Sequence, residues 1–284
     1  MADGPRPVVK RRRLKAELRN ARQEADLTQD QVAEAMEWSP SKIIRIEAGS
    51  VGVSANDMKE LLRLYNITDS KRVNELITLA RQARERSTTY RDAPPRLTQF
   101  IDYEAAAAII RGFQPLAVPG LLQTEEYARG VIQAVMPKSS KAQVEALVKV
   151  RMSRQEVLTR PDPVELIAVI DEAVIRRQVG GEGVMRRQVK HLAGMASRKN
   201  VALEVVRFSA GGHPGMLGPF VIFEFPDAEA DDVLFLETSH GDLIIRDEPD
   251  EIANHEERLD ALRKLSSGRK GSLALLEGVA AGDE

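Results

Sequence analysis

The sequence of 284 residues contains no cysteine, one tryptophan and few aromatic residues, 4% in all. The absence of cysteine excludes disulfides and thiolate metal sites, and a reducing cytoplasm is the default compartment for such a chain. No apolar run approaches the roughly 20 residues that a membrane helix needs. The N-terminal residues 1–13 lack the apolar core of a secretory signal. We therefore expect a cytoplasmic protein, associated with the nucleoid if it binds DNA.

Catalytic and metal-binding patterns are also scarce. None of the four histidines stands at a metal-ligand spacing from another. Asp171 and Glu172 follow a predicted strand and could serve acid–base chemistry, but a helix start explains them better because its dipole favours negative charge. The glycine-rich segment 211–218 precedes a strand pattern, which favours a connecting loop over a phosphate site. We expect no enzyme activity, no metal and no cofactor.

The clearest pattern in the chain is a pair of short helices that meet at a corner. Thr28 with Gln31 forms a capping box, and Ser39 followed by Pro40 predicts the start of the second helix, which Gly49 ends. Apolar residues recur at helical spacing, at Val32, Ala33, Met36, Ile43 and Ile46. This pattern is typical of the helix-turn-helix, whose second helix enters the DNA major groove.

Polar and basic residues accompany this motif. The outer side of the second helix holds Ser41, Lys42 and Arg45. Such groups reach base edges and phosphates. A basic run precedes the motif and contains Lys10, Arg11, Arg12, Arg13 and Lys15. A run of this kind is often only a solvated arm, but beside a DNA-reading helix it predicts phosphate or minor-groove contacts. The alternative is a packed helix pair without DNA contact.

Three further helix patterns complete a five-helix N-terminal unit, at residues 11–25, 56–65 and 70–86. Charge supports a separate function for this part, because residues 1–91 hold 18 Lys and Arg against 13 Asp and Glu while the remainder is acidic. One residue departs from the usual motif. The corner commonly carries glycine where this chain has Glu37, which predicts a slightly different turn.

The N-terminal part resembles the repressor-type DNA-binding domain of the xenobiotic-response-element family, which is related in fold to phage repressors. The resemblance covers residues 12–66 and depends on Arg22, on Leu27-Thr28-Gln29 and on the segment 41–49, SKIIRIEAG.

This resemblance implies a set of DNA contacts. Gln29 would touch a phosphate at the start of the first motif helix. Bases or backbone would be contacted by Ser39, Ser41, Lys42 and Arg45. Arg22 and Glu47 would pair with each other and hold the domain together.

The length of the chain indicates a second domain with its own core. Ser87 to Thr89 end the helical pattern, and Pro94-Pro95 cannot continue it. We predict four regions: a basic arm at 1–11, a helix-turn-helix domain at 12–86, a linker at 87–96 and a C-terminal domain at 97–284.

Helix patterns precede and follow a group of short β-rich runs in the C-terminal domain. The first helix pattern covers residues 97–110. Strand patterns occur at 164–170, 201–208, 220–225, 233–237 and 243–246. We predict an α+β domain with a small antiparallel sheet, in which the first of these strands lies at the edge.

The C-terminal domain resembles that of the WhiJ-type, antitoxin-like transcriptional regulators of actinobacteria. The matching segments are 118–129, 151–158, 169–181 and 200–208. Members have no established catalytic activity and are commonly encoded beside a small protein, so the resemblance implies a module that binds a partner or receives a signal. The family usually carries tryptophans where this chain has Ser87 to Tyr90.

We therefore predict a sequence-specific transcriptional regulator, repressor-like in its DNA-binding domain and homodimeric, with double-stranded DNA as its partner. Two alternatives remain. One is an antitoxin-like interaction protein that sequesters a small partner and uses DNA binding only for autoregulation. The other is a repressor controlled by a small molecule.

Overall fold

The computed structural model describes residues 7–47, 51–84, 95–226, 232–237, 243–245 and 248–282. The chain forms two compact units, the first ending at Ala106 and the second beginning at Ala107. The predicted helix end at Gly49 and most of the predicted linker lie outside the described residues. Within these ranges, no helix has the length and apolar character required to cross a bilayer.

The described part of the first unit is entirely helical. Its helices are α1 (Pro7–Glu24), α2 (Gln29–Ala35), α3 (Pro40–Glu47), α4 (Ala55–Leu64), α5 (Ser70–Arg84) and α6 (Pro95–Ala106). The first unit therefore has one helix more than the five predicted. The additional helix is α6, which we predicted as the first helix of the C-terminal domain but which packs against α1. Helix α1 also begins four residues before its predicted start. Residues 7–11, predicted as part of an arm, are therefore helical.

Local capping explains where the motif helices begin. Thr28 Oγ1 accepts a hydrogen bond from the Gln31 amide, and the Gln31 side chain accepts one from the Thr28 amide at 2.8 Å. The predicted capping box is confirmed, as is Pro40 at the first position of α3. Glu37 has a φ of 53°, the left-handed conformation that glycine adopts readily. The glutamate therefore occupies a glycine-type corner, whereas we had expected an altered turn.

The core of the first unit joins all five helices before α6. It contains Leu14, Leu18, Ala21, Val32, Ala33, Ile43, Ile46, Val53, Met58, Leu61, Leu62, Tyr65, Leu76, Ala80 and Ala83. Ala33 is 2% exposed where α2 packs against α3. Its small side chain allows the two helices to cross closely.

A six-stranded mixed sheet forms the centre of the second unit. Its strands are β1 (Ile109–Gln114), β2 (Glu165–Asp171), β3 (Val201–Val206), β4 (Phe220–Glu224), β5 (Val233–Leu236) and β6 (Leu243–Ile245). They are arranged in the order β3-β2-β1-β4-β5-β6. β1, β2 and β3 are parallel to one another, whereas β4, β5 and β6 are antiparallel to their neighbours.

The prediction of a small antiparallel sheet was wrong. All five predicted strands are present, but β1 was missed because its start was assigned to the preceding helix. That helix ends at Ala106 instead of continuing to Ile110. β1 is then paired on both sides, with Gly112 opposite Ala168 of β2 and Val221 of β4. The missed strand is therefore central to the sheet, and it changes the topology from antiparallel to mixed.

Six helices of the second unit surround this sheet within the described residues. They are α7 (Glu125–Val135), α8 (Lys141–Arg154), α9 (Ala173–Arg176), α10 (Glu182–Ala196), α11 (Pro249–Leu265) and α12 (Gly268–Ala281). Helices α7 and α8 connect β1 to β2, and α9 and α10 connect β2 to β3, as parallel strands require. Helix α11 covers one face of the sheet through Ile252, Leu259 and Leu262.

Candidate DNA-binding surface

Helix α3 has one buried face and one exposed face. Ile43, Ile46 and Glu47 are 1%, 3% and 5% exposed and anchor the helix in the core. The side chains of Ser41 and Arg45 are exposed, as is that of Ser39 immediately before the helix. The Ser39 and Ser41 hydroxyl oxygens lie 3.1 Å apart, so two hydroxyl groups mark the N-terminal end of the outer face. This is the part of a recognition helix that meets base edges.

Lys42 lies at the border of this face and has two partners. Its Nζ is 3.5 Å from Asp57 Oδ2 on α4 and 3.6 Å from the centre of the Trp38 ring. Both charged side chains are 37% exposed, so the ion pair is partly screened by water. The ring and the carboxylate together hold the ammonium group at the edge of α3. Asp57 is 15 residues away in the chain, and the sequence pattern did not indicate this contact.

A buried polar network connects α1, α2 and α3 behind the exposed face. Glu47 Oε1 accepts a hydrogen bond from Arg22 Nε at 2.7 Å, and Glu47 Oε2 accepts one from Arg22 Nη2 at 3.2 Å. The Gln29 amide nitrogen donates to the same Oε2 at 2.8 Å. Arg22 Nη1 also donates to the Leu27 carbonyl oxygen at 2.7 Å. The implied pairing of Arg22 with Glu47 is confirmed.

Burial and this network shift the pKa values of two groups. The hydrogen bond that Arg22 donates to Glu47 is the main cause that raises the pKa of Arg22, so the guanidinium stays charged. Burial, followed by the negative charge of Glu47, raises the pKa of Tyr65, which therefore stays neutral. The Tyr65 hydroxyl is buried and has no hydrogen-bond partner among the described residues. The charged residues of the network are therefore Arg22 and Glu47, which form an ion pair.

The basic run lies on α1. Arg13 is 59% exposed, and its Nε is 3.8 Å from Glu17 Oε1. For Arg11 and Arg12 the structure describes the helical backbone and not the side chains. Glu17 also pairs with Arg72, so Arg13 can turn towards a phosphate without leaving this carboxylate unpaired.

Asp171 of the second unit lies at a helix start. Asp171 Oδ1 accepts a hydrogen bond from the Ala173 amide at 2.7 Å, which agrees with the predicted role at a helix start. His213 Nε2 lies 3.4 Å from the other carboxylate oxygen of Asp171. In the described ranges, no group of three or more His, Asp or Glu residues could hold a metal ion.

Two family models match the chain. One, described as a helix-turn-helix domain, matches residues 13–74. The other, described as a domain of unknown function (DUF5753), matches residues 97–278, which is more than half of the chain. The chain belongs to the DUF5753 family. Comparison with curated proteins gave no match, and comparison with solved structures gave none. The helix-turn-helix match supports the predicted DNA-binding type of regulator.

In this DUF5753 protein the structure brings most of the predicted DNA contacts to two places. Ser39, Ser41, Lys42 and Arg45 lie on or beside α3, and the basic run lies on α1. Gln29 is the exception, because its side chain donates inward to Glu47. Its phosphate contact stays a prediction. The sequence did indicate the outer face of α3, whereas only the structure places Asp57 beside it.

Proposed function

We propose that this DUF5753 protein is a homodimeric, sequence-specific transcriptional regulator of the xenobiotic-response-element and WhiJ type, and not an enzyme. The observation that supports this most is the polar outer face of α3 above a fully buried inner face. One such helix covers only a few base pairs. Two copies related by a two-fold axis would reach half-sites about 34–36 Å apart.

The proposed contacts divide into two classes. Ser39, Ser41 and Lys42 read base edges from the start of α3. Arg45, together with the basic run, holds phosphates. Gln29 joins the phosphate contacts if its amide leaves Glu47 when DNA binds. Arg45 is exposed and has no ion-pair partner in the described part of the chain, which leaves its charge available to DNA.

Lys42→Ala is expected to reduce the ratio of specific to non-specific affinity by about 5- to 150-fold, since one good base contact contributes about 1–3 kcal/mol. Arg11-Arg12-Arg13→Ala should instead weaken binding to all DNA and reduce the salt slope by up to about 3. The measurement is in vitro selection with the full chain, followed by titration of the selected site and a scrambled duplex at several salt concentrations.

Asp57→Asn is the informative control for Lys42. It removes the anionic partner of Lys42 without changing α3, so affinity for DNA should increase. Glu60→Gln makes the same charge change on α4 at an exposed pair with Arg63 and should have a smaller effect. If Lys42→Ala leaves the specificity ratio unchanged, Lys42 does not read bases.

The second unit supports the proposal of a small protein partner. Five of the nine exposed large apolar side chains of the described residues are Leu116, Phe208, Met216, Leu217 and Leu243. All five lie at the edge of the sheet where β1, β2 and β3 end and where β4 and β6 begin. We call these residues the apolar edge. Exposed apolar groups along one end of a sheet favour an interaction site there.

Charge beside the apolar edge favours an acidic partner. Arg207 precedes Phe208, is exposed and has no ion-pair partner within the described ranges. Nearby carboxylates are already engaged, since Asp171 lies near His213 and Glu172 pairs with Arg176 at 3.2 Å. The proposed partner is therefore a small protein that presents an apolar surface bordered by acidic residues. In the antitoxin-like alternative, sequestering this partner is the main function.

Leu217→Glu is expected to prevent assembly with this partner, because a charge replaces an apolar side chain that is 81% exposed at the proposed contact. Val135→Glu is the matched control, since Val135 is 69% exposed at the end of α7 and outside the apolar edge. The measurement is the mass and stoichiometry of the full chain co-expressed with the product of an adjacent short reading frame. Assembly that survives Leu217→Glu would contradict this surface.

A further inference from the structure

One apolar side chain interrupts the polar outer face of α3. Ile44 is 49% exposed, whereas its neighbour Ile43 is 1% exposed. Met36 and Trp38 are also partly exposed, but both pack against the core of the first unit, and Ile44 does not. Single exposed apolar residues are common on protein surfaces. Ile44 lies on the helix proposed to enter the major groove, so its exposed side chain can contact a base edge there.

Ile44 belongs to the same surface as the polar reading residues. It follows Ser41 by three residues, so it lies almost one turn further along α3 and about 60° around the helix axis. Arg45 follows Ser41 by four residues and lies on the other side of it. Ser41 is therefore flanked by an apolar group and a cation. All three side chains are exposed.

The major groove contains one apolar group to match Ile44. This group is the C5 methyl of thymine, and the other base edges carry hydrogen-bond donors and acceptors. A β-branched side chain has a restricted χ1 on a helix, so little conformational entropy is lost when it packs against a fixed methyl group. A polar base edge opposite Ile44 would instead lose its water without gaining a hydrogen bond.

We infer that Ile44 determines specificity by packing against the C5 methyl of a thymine in each half-site. This inference rests on the proposed function, since it requires α3 to enter the major groove. It adds an apolar contact to the polar contacts of Ser39, Ser41 and Lys42.

The test is a cycle of protein and DNA changes on the site selected by the full-length protein. Each thymine is replaced in turn by deoxyuridine, which removes only the methyl group. In each half-site, one of these single replacements should weaken binding by about fourfold, because it removes one buried methyl group. Ile44→Ala should weaken binding to the thymine site and abolish the response to that deoxyuridine. Ile44→Val should retain the response.

The outcomes separate this inference from the proposed function. If the native protein selects no sequence, the proposed function fails. If it selects a site but no deoxyuridine weakens binding, or if Ile44→Ala keeps the full response, the role of Ile44 is overturned and the proposed function stands. Leu265→Ala removes another exposed apolar side chain, at the end of α11, and should change nothing. Unfolding followed by Trp38 fluorescence checks that the Ile44 variants are folded, and circular dichroism checks Leu265→Ala.

Discussion

Glu47→Ala is expected to lower the free energy of unfolding of the first unit by about 3–5 kcal/mol, the usual effect of removing one partner from a buried ion pair. Glu47 is 5% exposed and Arg22 is 13% exposed. Without the carboxylate, Arg22 keeps its bond to the Leu27 carbonyl but loses its anion, and Gln29 loses its acceptor. The same change should abolish specific DNA binding, because Glu47 fixes α3 against α1 and α2.

Urea unfolding followed by Trp38 fluorescence measures this change. Trp38 is the only tryptophan and packs against the core of the first unit, so its signal reports this unit alone. Glu34→Ala is the matched control, since Glu34 is an exposed acid on α2, and its removal should alter stability by less than about 0.5 kcal/mol. A loss below about 1 kcal/mol for Glu47→Ala, close to the value of an exposed pair, would contradict the proposed role.

Gly112→Ala should lower the free energy of unfolding of the second unit by about 3 kcal/mol, at the upper end of the overpacking range. Gly112 lies in β1 between β2 and β4. An added Cβ would lie 3.0 Å from the Val221 Cα and closer still to the Phe220 carbonyl oxygen. These are backbone atoms of a paired strand, so they cannot move away without breaking the ladder.

Hydrogen exchange of the β1 and β4 amides in increasing urea measures this effect. Gly194→Ala is the matched control because an added Cβ there meets no atom within 4 Å apart from the adjoining backbone of its own helix. Gly194 lies inside α10, so the alanine should raise stability by about 0.5–1 kcal/mol. The Trp38 transition should be unchanged in both variants. Unaltered amide protection in Gly112→Ala would show that the strand tolerates the added methyl group.

Several features followed from the sequence because they depend on neighbouring residues. The capping box at Thr28–Gln31 joins residues three positions apart, and it is formed. The start of α3 at Pro40, directly after Ser39, is likewise a local signal and is confirmed. The inner and outer sides of α3 were likewise set by helical spacing.

Other features were decided by contacts between distant segments. β1 follows an alanine-rich helix, and it became a strand because β2 and β4 pair with it on either side. The same long-range pairing produced a mixed sheet in place of the predicted antiparallel one. Lys42 meets Asp57, and Gln29 turns inward to Glu47, through helix packing that no local pattern contains.

The sequence by itself therefore determined that this DUF5753 protein carries a helix-turn-helix whose second helix has a polar outer face. Only the tertiary structure decided the topology of the sheet and the partners of Lys42 and Gln29. The physical reason is the range of the interactions. Caps and periodicity act within a few residues, whereas strand pairing and burial depend on which distant segments meet.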